Sequence, residues 1–412
     1  MNGQQLLQEV QQYETQLREN RRYLHSHPET GFALTNTVAF VKEKLVAMGY
    51  EPQNCGKAGV MALVGGKRPG KVFLLRADMD ALPIQEAANV KFAAVNGNMH
   101  ACGHDLHVAM LLGAAQLLKQ HENEIEGTVK LMFQPAEEIF AGARDMLDAG
   151  ILKNPDVDAA MMIHVVAAAC SATGTVAIPD AGVGNPAADF FEIEVQGKGC
   201  HGSMPNTGVD PVTVAAHILL ALQELHAREL AMADRAALTI GMFHAGEAAN
   251  VIPDMAVMSG SIRTYDEETR AFLKNRLVDV AQHTAEAFRA KAQVTFGGGC
   301  PTLWNQKELV ASVKQYTKDL LGTEWAIAPE DFQAAPEKNF LKQGNGSEDF
   351  AYVSRQVPTV MLALAAGQPE KGYVSPQHHP KVIFDESVLV FGCAVYVYNA
   401  MRWLEEHKAS GC

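Results

Sequence analysis

The order of strand-like and helical segments constrains the fold of this chain more than any other feature. Apolar residues at helical spacing over 6–23 and 38–48 predict two helices at the start, and Gly49 supplies a stop for the second. Strand-like and helical runs then alternate as far as residue 165, which favours a layered α/β sheet. The predicted strands lie at 60–64, 72–76, 128–133 and 159–165, and the predicted helices at 106–118 and 141–149.

A second pattern interrupts the first one between residues 187 and 296. Its order is β-α-β-β-α-β, the split unit of a ferredoxin-like domain, and it indicates an insertion because helix and strand signals resume afterwards. The least regular stretch, 322–346, is predicted to be a loop. We therefore predict an α/β protein with a layered mixed-sheet domain at 1–185 and 299–412 and an inserted ferredoxin-like α+β domain at 186–298. The inserted strands are 190–195, 238–243, 256–262 and 293–296, the inserted helices are 211–226 and 267–290, and the resumed segments are 308–321, 359–365 and 387–404.

Length and charge limit the classes of function. A chain of 412 residues, of which 48% are hydrophobic and 20% charged, is too long for one ordinary core, so two domains are expected. The net charge of -13 leaves no basic stripe for phosphates, and the apolar runs are too short for a bilayer, so neither nucleic acid nor a membrane is an expected partner. The seven cysteines are scattered and the N-terminus lacks a secretory signal, which predicts a cytoplasmic protein.

Two short segments have side chains that suit a hydrolytic metal site: MHACGHDLH at residues 99–107 and QPAEE at 134–138. Cys102 and His104 are separated by one residue, so in an extended loop both can bind one ion or two neighbouring ions. Of the adjacent Glu137 and Glu138, one can bind metal while the other takes a proton from water. The simpler alternatives are core positions for the first pair and an acidic first helical turn for the second. Supporting roles are assigned to Asp105, His100 and His107.

Histidines supply the remaining candidate ligands. His164 ends an apolar strand, where a histidine is more often a core residue, and either His378 or His379 can close the coordination shell or lie on a surface loop. Asp78 and Asp80 also follow a predicted strand, and ligands gather at the strand ends of such sheets. Cysteine and histidine favour zinc, although the mixed donor set also accepts manganese, cobalt or nickel.

The inserted segment carries a second set of candidates. The sequence GKGCHGSMP places His201 in a glycine-rich turn, and NVIPD supplies the amide of Asn250. Arg263 lies on a predicted strand, where its guanidinium suits a substrate carboxylate or, alternatively, a surface ion pair. GSEDFA, at 346–351, is interpreted as a helix cap in which Ser347 precedes an acidic first turn.

The chain closely resembles the amidohydrolase branch of the aminoacylase and carboxypeptidase metallopeptidase family, which includes hippurate hydrolase, indole-3-acetyl-amino acid hydrolases and N-acetyl-diaminopimelate deacetylase. The resemblance spans about residues 20–400 and depends on RADMDALPI, MHACGHD, FQPAEE, NVIPD, SEDFA and the spacing from His378 to Glu386. It implies that the first domain is catalytic and that the insertion is a lid and dimerisation domain. The implied two-metal centre is held by Cys102, His104, Glu138, His164 and His378.

The resemblance also implies roles outside the ligand set. Glu137 is the expected general base, Asp80 is expected to orient a ligand, and His201 is expected to polarise the scissile carbonyl across a homodimer or a dimer-based oligomer. Asn250 and Arg263 are expected to receive the substrate's free carboxylate. The implied reaction is metal-dependent hydrolysis of N-acyl amino acids to a carboxylic acid and a free amino acid. A dipeptidase or carboxypeptidase and a non-catalytic metal-dependent binding protein are the alternatives, and the acyl and amino acid preferences stay open.

Overall fold

Ten α-helices and sixteen strands form within residues 2–332 and 346–408, the part of the chain that this computed structural model describes. None of the described helices combines the length and the apolar run needed to cross a membrane. The helices are α1 Gly3–Gln12, α2 Glu14–Ser26, α3 Thr35–Ala47, α4 His104–Gln120, α5 Gly142–Asp148, α6 Pro211–Glu224, α7 Glu267–Ala287, α8 Lys307–Leu321, α9 Ala351–Ser354 and α10 Val388–Glu406. The strands are β1 Gln53–Cys55, β2 Gly59–Gly65, β3 Val72–Asp78, β4 Thr128–Gln134, β5 Ala159–Val166, β6 Val176–Ala177, β7 Gly182–Asn185, β8 Ala187–Gln196, β9 Cys200–His201, β10 Ala236–Ala245, β11 Val251–Ile252, β12 Met255–Thr264, β13 Lys291–Cys300, β14 Leu303–Asn305, β15 Ala326–Ile327 and β16 Thr359–Ala365.

An eight-stranded mixed sheet organises the larger of two compact units, which comprises the described parts of Met1–Gly184, Trp304–Asn345 and Asp349–Cys412. Its strand order is β1-β2-β4-β3-β5-β16-β6-β15, and the pairs β4/β3, β3/β5 and β5/β16 are parallel. Every residue of β3 is buried, as expected for a central parallel strand covered on both faces. Because these four strands run in one direction, their carboxyl ends meet at the same edge of the sheet.

The smaller unit comprises Asn185–Leu303 and Gly346–Glu348. Its four strands form an antiparallel sheet in the order β10-β12-β8-β13, and α6 and α7 cover one face of this sheet. The apolar side chains between the helices and the sheet form a core of their own. This β-α-β-β-α-β connectivity and strand order are those of a ferredoxin-like unit.

The predicted α/β class with a layered mixed sheet is confirmed, but the start of the chain is corrected. Residues 6–23 form two helices instead of one, because Tyr13 leaves the helical conformation (φ -95°, ψ 1°) between α1 and α2. The apolar stripe continues across the break through Leu6, Val10, Leu17 and Leu24, all of them buried. Of the predicted loop at 322–346, residues 326–327 form β15, and residues 333–345 lie outside the described residues.

Candidate metal centre

The candidate ligands of the larger unit come from four places in the chain. Glu138 follows β4, His164 lies near the end of β5, and Cys102 and His104 lie at the start of α4. Gly103 between them has a left-handed backbone (φ 96°), and a Cβ atom there would lie 2.5 Å from Val165 Cγ2, so only glycine suits this turn. His378 comes from the loop between β16 and α10.

The structure brings these five side chains together, and we refer to Cys102, His104, Glu138, His164 and His378 as the ligand cluster. Cys102 Sγ lies 3.5 Å from His164 Nε2, and Glu138 Oε2 lies 3.6 Å from His378 Nε2. Among the groups whose donor atoms lie within 4.8 Å of one another, two consist only of ligand-cluster residues: Cys102 with His104 and His164, and Cys102 with Glu138 and His378. Cys102 is common to both groups, which is the arrangement that a thiolate shared by two ions would need.

Two buried atoms of the ligand cluster test whether it fits a metal ion. His104 Nε2 and Glu138 Oε1 face each other at 3.9 Å, and neither has a hydrogen-bond partner among the described residues. A buried polar atom left in this way costs about 1–3 kcal/mol, which a coordinated ion would offset. Sulfur, imidazole nitrogen and carboxylate oxygen together form a donor set for a divalent transition metal or zinc. The residues therefore fit divalent metal ions.

The tautomers of two histidines follow from their partners. His104 Nδ1 donates to the backbone oxygen of Asp80 at 2.8 Å, and His164 Nδ1 donates to the backbone oxygen of Val165 at 2.7 Å. A carbonyl oxygen only accepts, so each Nδ1 carries a hydrogen, and in the neutral ring each Nε2 has a lone pair. Both imidazoles are thus held in the form in which a neutral histidine binds a metal.

Asp80 supports the turn that carries the two glutamates. Its carboxylate accepts the backbone N–H of Glu137 at 3.0 Å and that of Glu138 at 3.3 Å. The preceding Ala136 has a positive φ of 54°, so the turn is tight and its direction depends on such bonds. The backbone oxygen of Asp80 also accepts from His104, so Asp80 contacts two of the segments that supply ligands. This is the geometry of an orienting residue.

The charges of the site favour a bound cation. Burial raises the pKa of the Cys102 thiol well above its ordinary value, and the neighbouring Glu138 raises it further. Burial, followed by the charges of Asp80 and Asp78, raises the pKa of Glu138 despite the opposing effect of His104. A metal cation would supply the positive charge that the thiolate and the carboxylate lack.

His107 and Asp78 approach the ligand cluster without joining it. His107 Nδ1 donates to Asp78 at 2.5 Å, and His107 Nε2 accepts the backbone N–H of Val165 at 2.9 Å, so both ring nitrogens are used. Burial lowers the pKa of His107 to about 4, which keeps the imidazole neutral as this pair of bonds requires. Asp78 also accepts from Arg76 at 2.7 Å.

A buried ionic group behind the site was not predicted from the sequence. The guanidinium of Arg76 contacts Asp78, Gln134 at 2.9 Å and Asp349 at 3.3 Å. Asp349 also accepts the backbone N–H of Ala143 at the start of α5. The one available signal was an arginine inside the mostly apolar strand β3. Two of the partners of Arg76, Gln134 and Asp349, are too distant in the sequence to be found from a local pattern.

The helix-cap interpretation of GSEDFA is wrong. The next helix, α9, begins at Ala351, and its capping residue Phe350 makes no side-chain cap bond. Ser347 Oγ instead accepts a hydrogen bond from the Arg263 guanidinium at 2.6 Å within the smaller unit. Burial lowers the pKa of Arg263, a sign of partial withdrawal from water.

His201 and Asn250 lie side by side in the smaller unit. β9 pairs with β11, His201 is opposite Val251, and the backbone oxygen of Asn250 accepts the N–H of Gly202 at 2.8 Å. His201 Nδ1 accepts from the backbone N–H of Ser203 at 3.1 Å, so in the neutral ring Nε2 carries the hydrogen.

Arg263 is not brought close to this pair within one chain. It pairs with Ala188 at one end of the sheet, whereas the β9/β11 ladder lies beyond Met255 at the other end. The span of β12 from Met255 to Arg263 is roughly 26 Å at the usual rise of a strand. One small carboxylate therefore cannot contact Asn250 and Arg263 of the same chain.

Comparisons with known proteins give the family of the chain. The chain is 36% identical over 402 residues to the IAA-amino acid hydrolase ILR1-like 2 of Arabidopsis thaliana (95% of this chain, 86% of the relative). It is 34% identical over 399 residues to the N-acetyl-L-cysteine deacetylase of Bacillus subtilis strain 168 (96% and 90%). The crystal structure of the Bacillus subtilis YXEP protein, described as a dinuclear metal binding peptidase from the M20 family, matches with a TM-score of 0.76 and 32% identity (96% and 99%). The profile of peptidase family M20/M25/M40 matches residues 74–402, and the chain belongs to this family.

Proposed function

We propose that this protein is a metal-dependent amidohydrolase that cleaves N-acyl amino acids into a carboxylic acid and a free amino acid. The observation that carries the proposal is the ligand cluster with Glu137 beside it: Glu137 Oε2 lies 4.0 Å from His104 Nε2 and is held by the turn on Asp80. Both named relatives, an N-acetyl-L-cysteine deacetylase and an IAA-amino acid hydrolase, act on amino acids that carry an acyl group.

Two divalent ions are the proposed cofactors, one for each of the two donor groups that share Cys102. The donor set of one thiolate, three imidazoles and one carboxylate supports zinc or manganese, with cobalt or nickel as alternatives. The dinuclear site named for the Bacillus subtilis YXEP protein is consistent with this number. Metal analysis of protein purified without added metal would identify the ion.

The chain's own residues then perform the proton transfers. When bound, the ions would lower the pKa of a water molecule and polarise the amide carbonyl. Glu137 takes the proton from this water and delivers it to the leaving nitrogen, so one carboxylate serves as base and then as acid. His201 donates from Nε2 to the developing oxyanion, because its Nδ1 is already used as an acceptor. Arg263 holds the substrate carboxylate and thereby positions the amide.

A homodimer reconciles these roles with the geometry of the smaller unit. His201 and Asn250 lie at the opposite end of the sheet from Arg263, so two copies are needed to bring both ends to one substrate. The proposed contact is β10, an edge strand whose residues Met242 and Phe243 are exposed, together with Val212 and Leu220 on α6. An edge strand that pairs antiparallel with its own copy gives a closed two-fold contact.

The test is a substrate panel. Metal-loaded protein would be incubated with N-acetyl, N-benzoyl and indole-acetyl amino acids and with unblocked dipeptides, and the released amine would be measured with and without a chelator. Chelator-sensitive cleavage of the blocked amino acids is expected. If protein that retains two ions cleaves no compound of the panel, the result would contradict the proposal and favour a binding protein.

A peptidase is the second candidate, because the Bacillus subtilis YXEP protein is described as a peptidase. Peptidase and amidohydrolase differ in the group on the amide carbonyl side, which is a free α-amino group in a dipeptide and an acyl cap in the proposed substrate. Cleavage of the dipeptides alone would shift the assignment to a dipeptidase or carboxypeptidase.

A further inference from the structure

Strand β5 extends beyond its neighbour β3 at the edge of the sheet that carries the ligand cluster. β3 pairs with β5 only as far as Arg76 opposite Met162. Beyond this point β3 no longer pairs with β5, and side chains bond to the backbone of β5 instead. Ile163 N donates to Tyr396 Oη at 3.1 Å, and Val165 N donates to His107 Nε2 at 2.9 Å. The backbone around His164 is therefore held by side chains from distant segments.

The side-chain amide of Gln377 completes this edge. Gln377 Nε2 donates to the backbone oxygen of Val165 at 2.7 Å, and Gln377 Oε1 accepts the backbone N–H of Ala167 at 3.3 Å. These two backbone groups flank Val166, so the side-chain amide of Gln377 makes the pair of bonds that one residue of a neighbouring parallel strand would make. Neither bond can form with an aliphatic side chain.

Both ends of this connection are adjacent in the sequence to residues of the ligand cluster. The Val165 oxygen that accepts from Gln377 also accepts from His164 Nδ1 at 2.7 Å. Directly after Gln377, His378 has a positive φ of 62°, and its backbone N–H donates to the oxygen of Ala101 at 2.9 Å. One side chain thus connects the strand that carries His164 to the loop that carries His378.

We propose that Gln377 is a positioning residue of the metal centre that sets the spacing between the two donor groups meeting at Cys102. His164 belongs to one group and His378 to the other. The two residues are far apart in the sequence, so their spacing depends on contacts between distant segments. Loss of a residue that orients metal ligands typically lowers metal affinity about 10–100-fold. The inference rests on the metal centre of the proposed function.

The experiment compares Gln377→Ala and Gln377→Glu with Gln356→Ala, a control at an exposed position after α9. Cobalt(II) affinity of the metal-free, folded proteins would be measured by titration against a competing chelator, and thermal unfolding would be recorded without metal. We expect both Gln377 variants to bind cobalt about 10–100-fold more weakly than the control. Their metal-free unfolding midpoints are expected to match that of the control, which separates positioning from a general loss of stability.

Gln377→Glu isolates the donor bond, because the new carboxylate can still accept from Ala167 N–H but repels the Val165 oxygen. Control-like cobalt affinity in either Gln377 variant would overturn the inference. A lower metal-free midpoint with unchanged affinity would also overturn it, since the role would then be purely structural. Failure of the wild-type protein to bind two ions would instead overturn the proposed metal centre itself.

Discussion

At the scale of single residues, two adjacent glutamates carry different tasks. Glu138 approaches both His104 and His378, at 3.9 and 3.6 Å, and Glu137 approaches His104 at 4.0 Å. Both are held by the carboxylate of Asp80 through their backbone N–H groups. This difference in surroundings predicts different consequences for the same substitution.

Glu137→Gln should abolish turnover and keep the metal, because it removes the proton acceptor without removing a ligand. General base catalysis contributes about 10²–10⁴-fold, so a loss of at least that size in kcat is expected. Metal analysis after dialysis would show wild-type content for Glu137→Gln and a lower content for Glu138→Gln. Loss of metal from the first variant would mean that the roles of the two glutamates are exchanged.

Arg76→Met should strongly destabilise the fold. The guanidinium is fully buried against Asp78 and Asp349, and removal of one partner from a buried ion pair costs about 3–5 kcal/mol. The matched control is Arg68→Met, since Arg68 pairs with Glu126 at the surface and such pairs contribute about 1 kcal/mol or less. Urea unfolding of the metal-free proteins would measure both losses, and equal losses would refute the assigned role of Arg76.

The site residues that could be predicted from the sequence are those with metal-binding side chains in short segments. Cys102, His104, Glu137 and Glu138 stand in short segments with unusual concentrations of metal-binding side chains, and these segments also resemble a known family. Arg76 and Gln377 were missed because their partners lie far away in the chain or are backbone atoms. No local pattern records such a contact.

At the scale of elements, buried ion pairs connect α2 to the first turn of α4. Asp105, which follows His104, accepts from Arg21 Nε at 2.7 Å and from His25 Nδ1 at 2.8 Å. His25 Nε2 contacts Glu86 at 3.1 Å, so both ring nitrogens of His25 face carboxylates. This pairing requires an imidazolium, and it links the N-terminal helices to the helix that begins with a predicted ligand.

Stability should fall with rising pH through the titration of His25. Burial lowers the pKa of His25, but Asp105 and the hydrogen bonds to Asp105 and Glu86 raise it above the ordinary value despite the charge of Arg21. The contribution is complete below about pH 6.5, the ordinary histidine pKa, and is lost as pH rises through the higher folded pKa.

The unfolding free energies of the wild type and of His25→Gln, measured across this range, provide the check. Their difference should shrink as pH rises, because the wild type loses the ion pairs that the variant never had. A difference that stays constant with pH would show that His25 is neutral in the folded protein.

Long elements followed the sequence pattern closely, and short ones did not. Helix α10 and strand β16 lie within one or two residues of their predicted bounds, because each has a continuous apolar pattern. The break at Tyr13 was missed since a single dihedral change leaves the apolar spacing intact. Strands β6 and β15, two residues each, exist only through pairing with distant segments.

At the scale of the whole molecule, the described residues form two compact units whose strands are connected in different ways. The smaller unit could be predicted from the order of its helices and strands, because they are consecutive in the sequence and each shows the apolar periodicity of its type. The eight-stranded sheet is less predictable, because β16 pairs with β5 across the whole inserted segment. The roles of the insertion as a lid and a dimerisation domain stay predictions.

Mixed dimers should reveal whether two copies complete one active site. Chains with His201→Ala and chains with Arg263→Ala would be inactive alone, and in a mixed dimer one site would receive intact residues from both copies. Activity restored in the mixture, at up to half the wild-type value per dimer, is the expected result. Mixtures as inactive as the separate variants would place both residues of one site in the same chain.

The backbone anchors of the two imidazoles affect how the chain can diverge. His104 and His164 are oriented by the carbonyl oxygens of Asp80 and Val165, groups that all twenty amino acids possess. Mutational drift at position 165 therefore leaves the acceptor of His164 in place. At position 80, the carbonyl would persist while the support of the glutamate turn would vanish. The side chain at position 165 is thus limited only by packing in the core, whereas position 80 must keep a carboxylate.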